Sequence, residues 1–139
     1  MKIIYTFLSV FVLYGCNAQP KTKSANAEEF ATAIAGENTQ VLDVRTAGEY
    51  NSGHIKNALL ADWNNKEQFE ERIKYIDKNK PVYVYCFSGG RSAAAADRLK
   101  AAGFTNVVNL EGGINAWKRN NNPLEGVSDE KQFKIEEYR

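Results

Sequence analysis

Residues 81–103 have the sequence PVYVYCFSGGRSAAAADRLKAAG, and this stretch decides the fold class. Pro81 opens an alternation of valine and tyrosine that ends at Cys86, which predicts a buried strand. A short loop containing two glycines follows it. The alanine-rich segment from about Ser92 to Ala102 predicts a helix, with Gly103 just beyond its end. A strand that turns at once into a helix is typical of an α/β domain.

Signals for strands and helices also alternate on the N-terminal side of this stretch. Asn26 and Glu29 have capping-box spacing, which predicts a helix start. Residues 40–44 form a β-rich run, and a second capping box over residues 46–49 predicts a short helix that Gly53 ends.

The remaining predicted elements also alternate between helix and strand. Apolar residues at helical spacing predict a helix over residues 66–77, residues 106–110 predict a strand, and Gly112-Gly113 leads into a last helix. Together these signals predict an α/β fold with a mainly parallel sheet and helices on both faces. In such sheets, reactive groups lie at the carboxyl ends of strands.

The composition excludes several classes of protein. The chain has 139 residues, 43% hydrophobic and 25% charged, with a net charge of +1, so we expect one globular domain without electrostatic capture of nucleic acid. Two cysteines and one histidine exclude a disulfide scaffold and argue against a structural zinc site. We therefore predict no metal, and the cysteine chemistry described below requires no organic cofactor.

The N-terminal residues have the pattern of a targeting segment. Lys2 precedes an apolar run over residues 3–13, which is too short to cross a bilayer as a helix. The following sequence, Leu13-Tyr14-Gly15-Cys16, resembles a bacterial lipobox, which implies lipidation of Cys16. The predicted domains are a signal peptide over 1–15, a lipidated end and polar tether over 16–25, a folded domain over 26–120 and a charged extension over 121–139. The expected location is the cell envelope, facing the periplasm, with the outer membrane weakly preferred because residue 17 is not aspartate.

Cys86 and the loop after it carry the chemistry. Gly89 and Gly90 let backbone N–H groups approach the sulfur, and a helix start together with Arg91 adds positive potential. Both effects lower the pKa of a thiol, and the thiolate is the nucleophile. The pattern therefore predicts a cysteine that attacks a negatively charged substrate.

This loop resembles the rhodanese family motif Cys-x-x-Gly-x-Arg-Ser, matched at Cys86, Gly89, Arg91 and Ser92. Two further stretches, at residues 43–58 and 103–117, resemble the other signatures of that family. The resemblance implies a five-stranded parallel core and sulfur transfer through a persulfide on Cys86. It also implies a substrate pocket built from the loop residues Phe87, Ser88, Gly89, Gly90, Arg91 and Ser92. The implied partners are a small sulfur donor such as thiosulfate and a cyanide, thiol or protein-cysteine acceptor.

Two alternatives to a sulfurtransferase stay open. A phosphatase is the minority interpretation, because related phosphatase loops are one residue longer than Cys86–Arg91. A membrane-tethered sulfur carrier with little turnover of its own is the other. Among the remaining candidates, we expect His54 to order a loop, Asp43 and Arg45 to form a buried pair, and Trp117 to pack in the core. Phe87 is expected to line the mouth of the pocket.

Overall fold

The computed structural model describes residues 22–126 of the chain. Its strands are β1 Lys23–Ala25, β2 Gln40–Asp43, β3 Leu59–Leu60, β4 Val82–Tyr85 and β5 Val107–Leu110. They form one five-stranded sheet in the order β1-β5-β4-β2-β3, and every pair of neighbours is parallel. The predicted α/β fold with a parallel sheet is confirmed. Because β4 is the central strand, the residue that follows it lies in the middle of the sheet's carboxyl edge.

The helices connect these strands. They are α1 Ala27–Ile34, α2 Ala47–Asn51, α3 Lys66–Arg72, α4 Gly90–Ala101 and α5 Gly113–Arg119, with a 3-10 turn at Ile73–Tyr75. Both predicted capping boxes are present, at Asn26 with Glu29 and at Thr46 with Glu49. Within residues 22–126, each helix is too short or too polar to cross a bilayer.

Two hydrophobic clusters lie on opposite faces of the sheet. Alternate residues of a strand point to opposite faces, and accordingly Val84 belongs to one cluster and its neighbour Tyr85 to the other. Phe69 of α3 and Leu99 of α4 pack in the first cluster, whereas Phe30 and Trp117 pack in the second. The sheet is therefore covered on both sides, as predicted.

The last three residues of the segment predicted as a tether, residues 16–25, belong to the folded domain. Residues 23–25 form the edge strand β1, paired in parallel with β5 from Lys23↔Val108 to Ala25↔Leu110. The Glu111 N–H also donates to the Ala25 carbonyl at 2.9 Å. Besides this backbone pairing, only Ala25 packs against the second hydrophobic cluster, so three residues with one small apolar side chain show none of the alternation that predicts strands. The N-terminal side of this segment, together with the predicted signal peptide and Cys16, lies outside the described residues.

Two other boundaries also differ from the predictions. The helix predicted over residues 66–77 ends at Arg72 and continues as the 3-10 turn, which places i and i+3 on the same side. Ile73 and Ile76 thereby both reach the core.

At the C-terminal end, the fold extends beyond residue 120, into the predicted extension. Trp117 Nε1 donates to the Pro123 carbonyl at 2.9 Å, and Glu125 forms a backbone bridge with His54. The rest of the predicted extension lies outside the described residues.

A buried polar network ties the carboxyl ends of β2 and β4 together. Asp43 and Arg45, both buried, form the predicted pair, with Arg45 Nη2 2.6 Å from Asp43 Oδ2. The Tyr85 hydroxyl donates to Asp43 Oδ2 at 2.5 Å and accepts the Ile55 N–H at 3.0 Å. Burial and the Asp43 carboxylate raise the pKa of Tyr85. Tyr85 therefore has a polar role that its strand pattern does not predict.

Replacing Tyr85 by phenylalanine should lower the free energy of unfolding by about 1–3 kcal/mol, because two buried polar groups lose a partner while the ring packing is kept. Urea unfolding of the full chain measures this. Tyr83→Phe is the matched control, since the Tyr83 ring lies in the same strand and packs against the same cluster. Equal losses in the two variants would contradict the assigned role of the Tyr85 hydroxyl.

Candidate functional site

The loop between β4 and α4 places Cys86 at the central carboxyl end of the sheet. Cys86 follows the last residue of β4, and α4 begins four residues later at Gly90. Gly89 caps the helix with a φ of 108°, a left-handed conformation that side chains rarely adopt. The glycine thus lets the chain turn from strand to helix around the sulfur.

The sulfur of Cys86 is surrounded by hydrogen-bond donors. Its Sγ accepts the Gly89 N–H at 3.1 Å and the Ser92 hydroxyl at 3.3 Å. Burial raises the pKa of this thiol, but hydrogen bonds from the Ser92 hydroxyl and from the backbone of Ser92, Gly89 and Ser88 outweigh it, so the pKa is lowered. The loop therefore favours a thiolate, the reactive form of cysteine.

The carbonyl groups of the loop are bonded elsewhere. The Cys86 carbonyl accepts the Ile114 N–H at 2.8 Å, and the Phe87 carbonyl accepts the Asn115 N–H at 3.3 Å. Gly113 allows this contact, because a Cβ there would lie 2.5 Å from both carbonyl oxygens. The first turn of α5 thus holds these two carbonyls, and the loop keeps N–H groups for the sulfur.

Arg91 lies in the first turn of α4, but its side chain is engaged by Glu49. Nη1 is 2.9 Å from Glu49 Oε2, and Nη2 is 2.7 Å from Oε1. This pairing favours a role for Arg91 in ordering the loop over direct binding of a donor. The sequence identified Glu49 only as a helix cap and a residue of the family signature. Its ion pair with Arg91 joins parts of the chain that are distant in sequence. The position of Glu49 in the family signature was the only sequence signal for a role at the site.

The other predicted loop residues line the outside of the turn. Phe87 is 47% exposed, and Ser88 and Gly90 are also exposed, whereas Ser92 is buried beneath the sulfur. The place of Phe87 at the mouth of a substrate pocket stays a prediction.

His54 and Trp117 have the structural contacts expected of them. The His54 ring stacks on Tyr50 with centroids 3.7 Å apart, and its Nδ1 lies 3.1 Å from the Tyr50 carbonyl oxygen. Trp117 is buried in the core. Within residues 22–126, no cluster of three metal-ligating side chains was found.

Removing the Ser92 hydroxyl should raise the pKa of Cys86, because one hydrogen bond that favours the thiolate is lost. We expect Ser92→Ala to be alkylated more slowly than the wild type below pH 8. Iodoacetamide labelling as a function of pH gives both midpoints. An unchanged midpoint would show that this hydroxyl does not act on the sulfur.

Comparisons with known proteins agree with this geometry. The family model described as Rhodanese-like domain matches residues 26–120. A Coxiella burnetii protein named thiosulfate sulfurtransferase GlpE is 38% identical over 78 residues, covering 56% of this chain and 70% of that protein. The Bacillus subtilis protein YqhL is 32% identical over 119 residues, covering 83% of this chain and 90% of that protein.

A solved structure has the same fold. The crystal structure of a rhodanese-related protein from Thermoplasma volcanium superposes with a TM-score of 0.66 at 33% identity, covering 75% of this chain and 98% of the other. The match over residues 26–120 includes the Cys86 loop and both other signature stretches. The chain therefore belongs to the rhodanese-like domain family.

Proposed function

We propose that the protein is a sulfurtransferase that carries sulfane sulfur as a persulfide on Cys86. The observation that carries the proposal is the set of donors at the sulfur, the Gly89 N–H and the Ser92 hydroxyl, which lower the pKa of the thiol. In a Cys86 persulfide the negative charge lies on the outer sulfur, one atom further from the backbone, and this charge requires the same kind of stabilisation. The relative named thiosulfate sulfurtransferase supports this chemistry at modest identity.

The proposed reaction has two half-reactions. The Cys86 thiol and thiosulfate give the Cys86 persulfide and sulfite: the S–S bond of the donor breaks, its electron pair leaves with sulfite, and a new S–S bond forms on Cys86. An acceptor such as cyanide then takes the outer sulfur as thiocyanate and restores the thiolate, in ping-pong order. Neither half-reaction needs a metal or an organic cofactor.

Turnover with two substrates separates sulfur transfer from phosphate chemistry. The full-length protein should form thiocyanate from thiosulfate and cyanide and should not hydrolyse an aryl phosphate, because the loop from Cys86 to Arg91 spans only six residues. An oxyanion with three equatorial oxygens needs more converging donors than a single sulfur. Phosphatase turnover that depends on Cys86 would overturn the proposal.

A sulfur carrier that passes its sulfur to a protein partner is the second candidate, and the cysteine count motivates it. The chain has two cysteines, so if Cys16 is lipidated no second thiol remains to resolve a Cys86 persulfide within the chain. Sulfur would then leave only to another molecule. A stable persulfide with slow small-molecule turnover but rapid transfer to a protein thiol would support the carrier.

We also propose that Cys16 is lipidated and anchors the protein in the bacterial cell envelope, facing the periplasm. The support is sequence alone, the apolar run and the lipobox-like residues before Cys16. Labelled palmitate should enter the wild type and not Cys16→Ser, and the variant should leave the membrane fraction. Equal labelling of both proteins would contradict the anchor.

A further inference from the structure

Arg91, the cation of the Cys86 loop motif, already pairs with a carboxylate of the protein. Both terminal nitrogens of Arg91 bind Glu49, at 2.9 and 2.7 Å. Glu49 is itself held in place, because its Oε2 accepts the Thr46 N–H at 3.0 Å and the Thr46 hydroxyl at 2.9 Å. The planar donor fork of Arg91, the part that recognises a doubly charged anion best, is therefore occupied.

The charges around Arg91 strengthen this conclusion. The hydrogen bond from Arg91 lowers the pKa of Glu49 to about 2, so this carboxylate is ionised at neutral pH. The pKa of Arg91 is raised first by Glu49, and smaller electrostatic contributions come from Cys86 and then from Asp62 in the loop after β3. One carboxylate thus contacts the guanidinium and a second acts on it more weakly through space, so the local charge is unfavourable for a dianion.

An incoming donor consequently finds backbone N–H groups at Cys86 but no unpaired charge on Arg91. Thiosulfate carries two negative charges and has no apolar part. A donor with one charge and an organic stem meets less repulsion, and its stem can contact the Phe87 ring, which is 47% exposed.

We propose that Glu49 determines the specificity of the site by neutralising Arg91, so that the preferred donors are singly charged organic sulfane-sulfur compounds, such as thiosulfonates or thiol persulfides. This inference rests on the proposed sulfur transfer. With a thiosulfonate, the Cys86 thiol takes the outer sulfur to give the persulfide, and the S–S electron pair leaves with the sulfinate. Glu49 acts through Arg91 and is a positioning residue.

The test compares two donors on the full-length protein, thiosulfate and benzenethiosulfonate, with cyanide as the acceptor. The wild type should have the higher kcat/KM with benzenethiosulfonate. Glu49→Gln keeps an amide oxygen that can accept from Thr46 and Arg91 but removes the charge. It should raise kcat/KM for thiosulfate at least about threefold, through a lower KM, and the gain should shrink at high salt. The benzenethiosulfonate value should change less.

Glu70→Gln is the matched control. Glu70 of α3 makes a bidentate pair with Arg98 of α4, with two N–O distances of 2.7 Å. Arg98 follows Arg91 on the same helix by seven residues, or about 10 Å. Glu70→Gln removes one negative charge from a carboxylate–guanidinium pair, as Glu49→Gln does. We expect it to give no selective gain in kcat/KM for thiosulfate.

Asp62→Asn is a second variant that leaves the Glu49 cap intact. Asparagine retains the Oδ1 that accepts the Asn64 N–H at 2.9 Å, and the variant should shift the donor preference in the same direction by a smaller factor. If Glu49→Gln does not fold, the donor preference of Asp62→Asn tests the specificity inference instead.

The outcomes separate the two proposals. If the wild type forms no persulfide from either donor, the proposed function fails. If it forms one, but the Glu49 variant alters both donors equally or neither, or the Glu70 control gives the same gain, only the specificity inference is overturned.

Discussion

The Cys86→Ser variant should lose sulfurtransferase activity by at least about a thousandfold, since an alcohol cannot form the persulfide and nucleophile removal has effects of that size or larger. Serine is close in size to cysteine, and its hydroxyl can accept the Gly89 N–H that the sulfur accepts at 3.1 Å. The fold should therefore remain intact. Thiocyanate formation measures the activity, and circular dichroism during thermal unfolding measures the fold.

The control for this loss is Ser24→Ala, which changes an exposed side chain on the edge strand β1, outside the Cys86 loop, and should retain the activity. Residual turnover of more than a few per cent in Cys86→Ser, with the fold intact, would assign the nucleophile to another group.

Gly113→Ala should lower the free energy of unfolding by about 2–4 kcal/mol, through backbone strain and overpacking. Gly113 has a φ of 58°. An added Cβ would lie 2.5 Å from the carbonyl oxygens of both Cys86 and Phe87. Relief of this clash must move the active loop or the start of α5, so sulfur transfer should fall as well. Chemical denaturation and thiocyanate assays on the same preparation measure the two effects.

Gly48→Ala is the control for the glycine change. Gly48 lies inside α2, is exposed and has open space around its Cβ position. Alanine there should leave the protein as stable or slightly more stable. A Gly113→Ala protein with wild-type stability and activity would contradict the role given to the start of α5.

Much of the fold could be predicted from local signals. The valine and tyrosine alternation of β4, the two capping boxes and the glycine after α4 each act within a few residues, so they are visible in a single sequence. Strand β1 could not be found this way, because its pairing partner, β5, lies more than 80 residues further along the chain. The 3-10 turn at Ile73–Tyr75 depends on tertiary packing of Ile73 and Ile76, and helical spacing alone does not distinguish it from an α-helix.

The candidate site divides in the same way. Cys86 and its cradle are contiguous in sequence, so the loop motif identifies them together. The pairing of Arg91 with Glu49 spans 42 residues, and the polar role of Tyr85 depends on Asp43, also 42 residues away. Electrostatic partners of this kind require the folded chain, and the expectation that Arg91 serves an incoming anion changes once Glu49 is seen to occupy it.

Mass spectrometry of the full-length protein before and after incubation with a sulfur donor tests the central claim most directly. After thiosulfate or benzenethiosulfonate and removal of the small molecules, the peptide containing Cys86 should gain one sulfur, about 32 Da, and lose it on addition of cyanide. The same peptide from Cys86→Ser should show no gain. A wild-type peptide whose mass is unchanged by both donors would contradict a Cys86 persulfide and, with it, the proposed sulfur transfer.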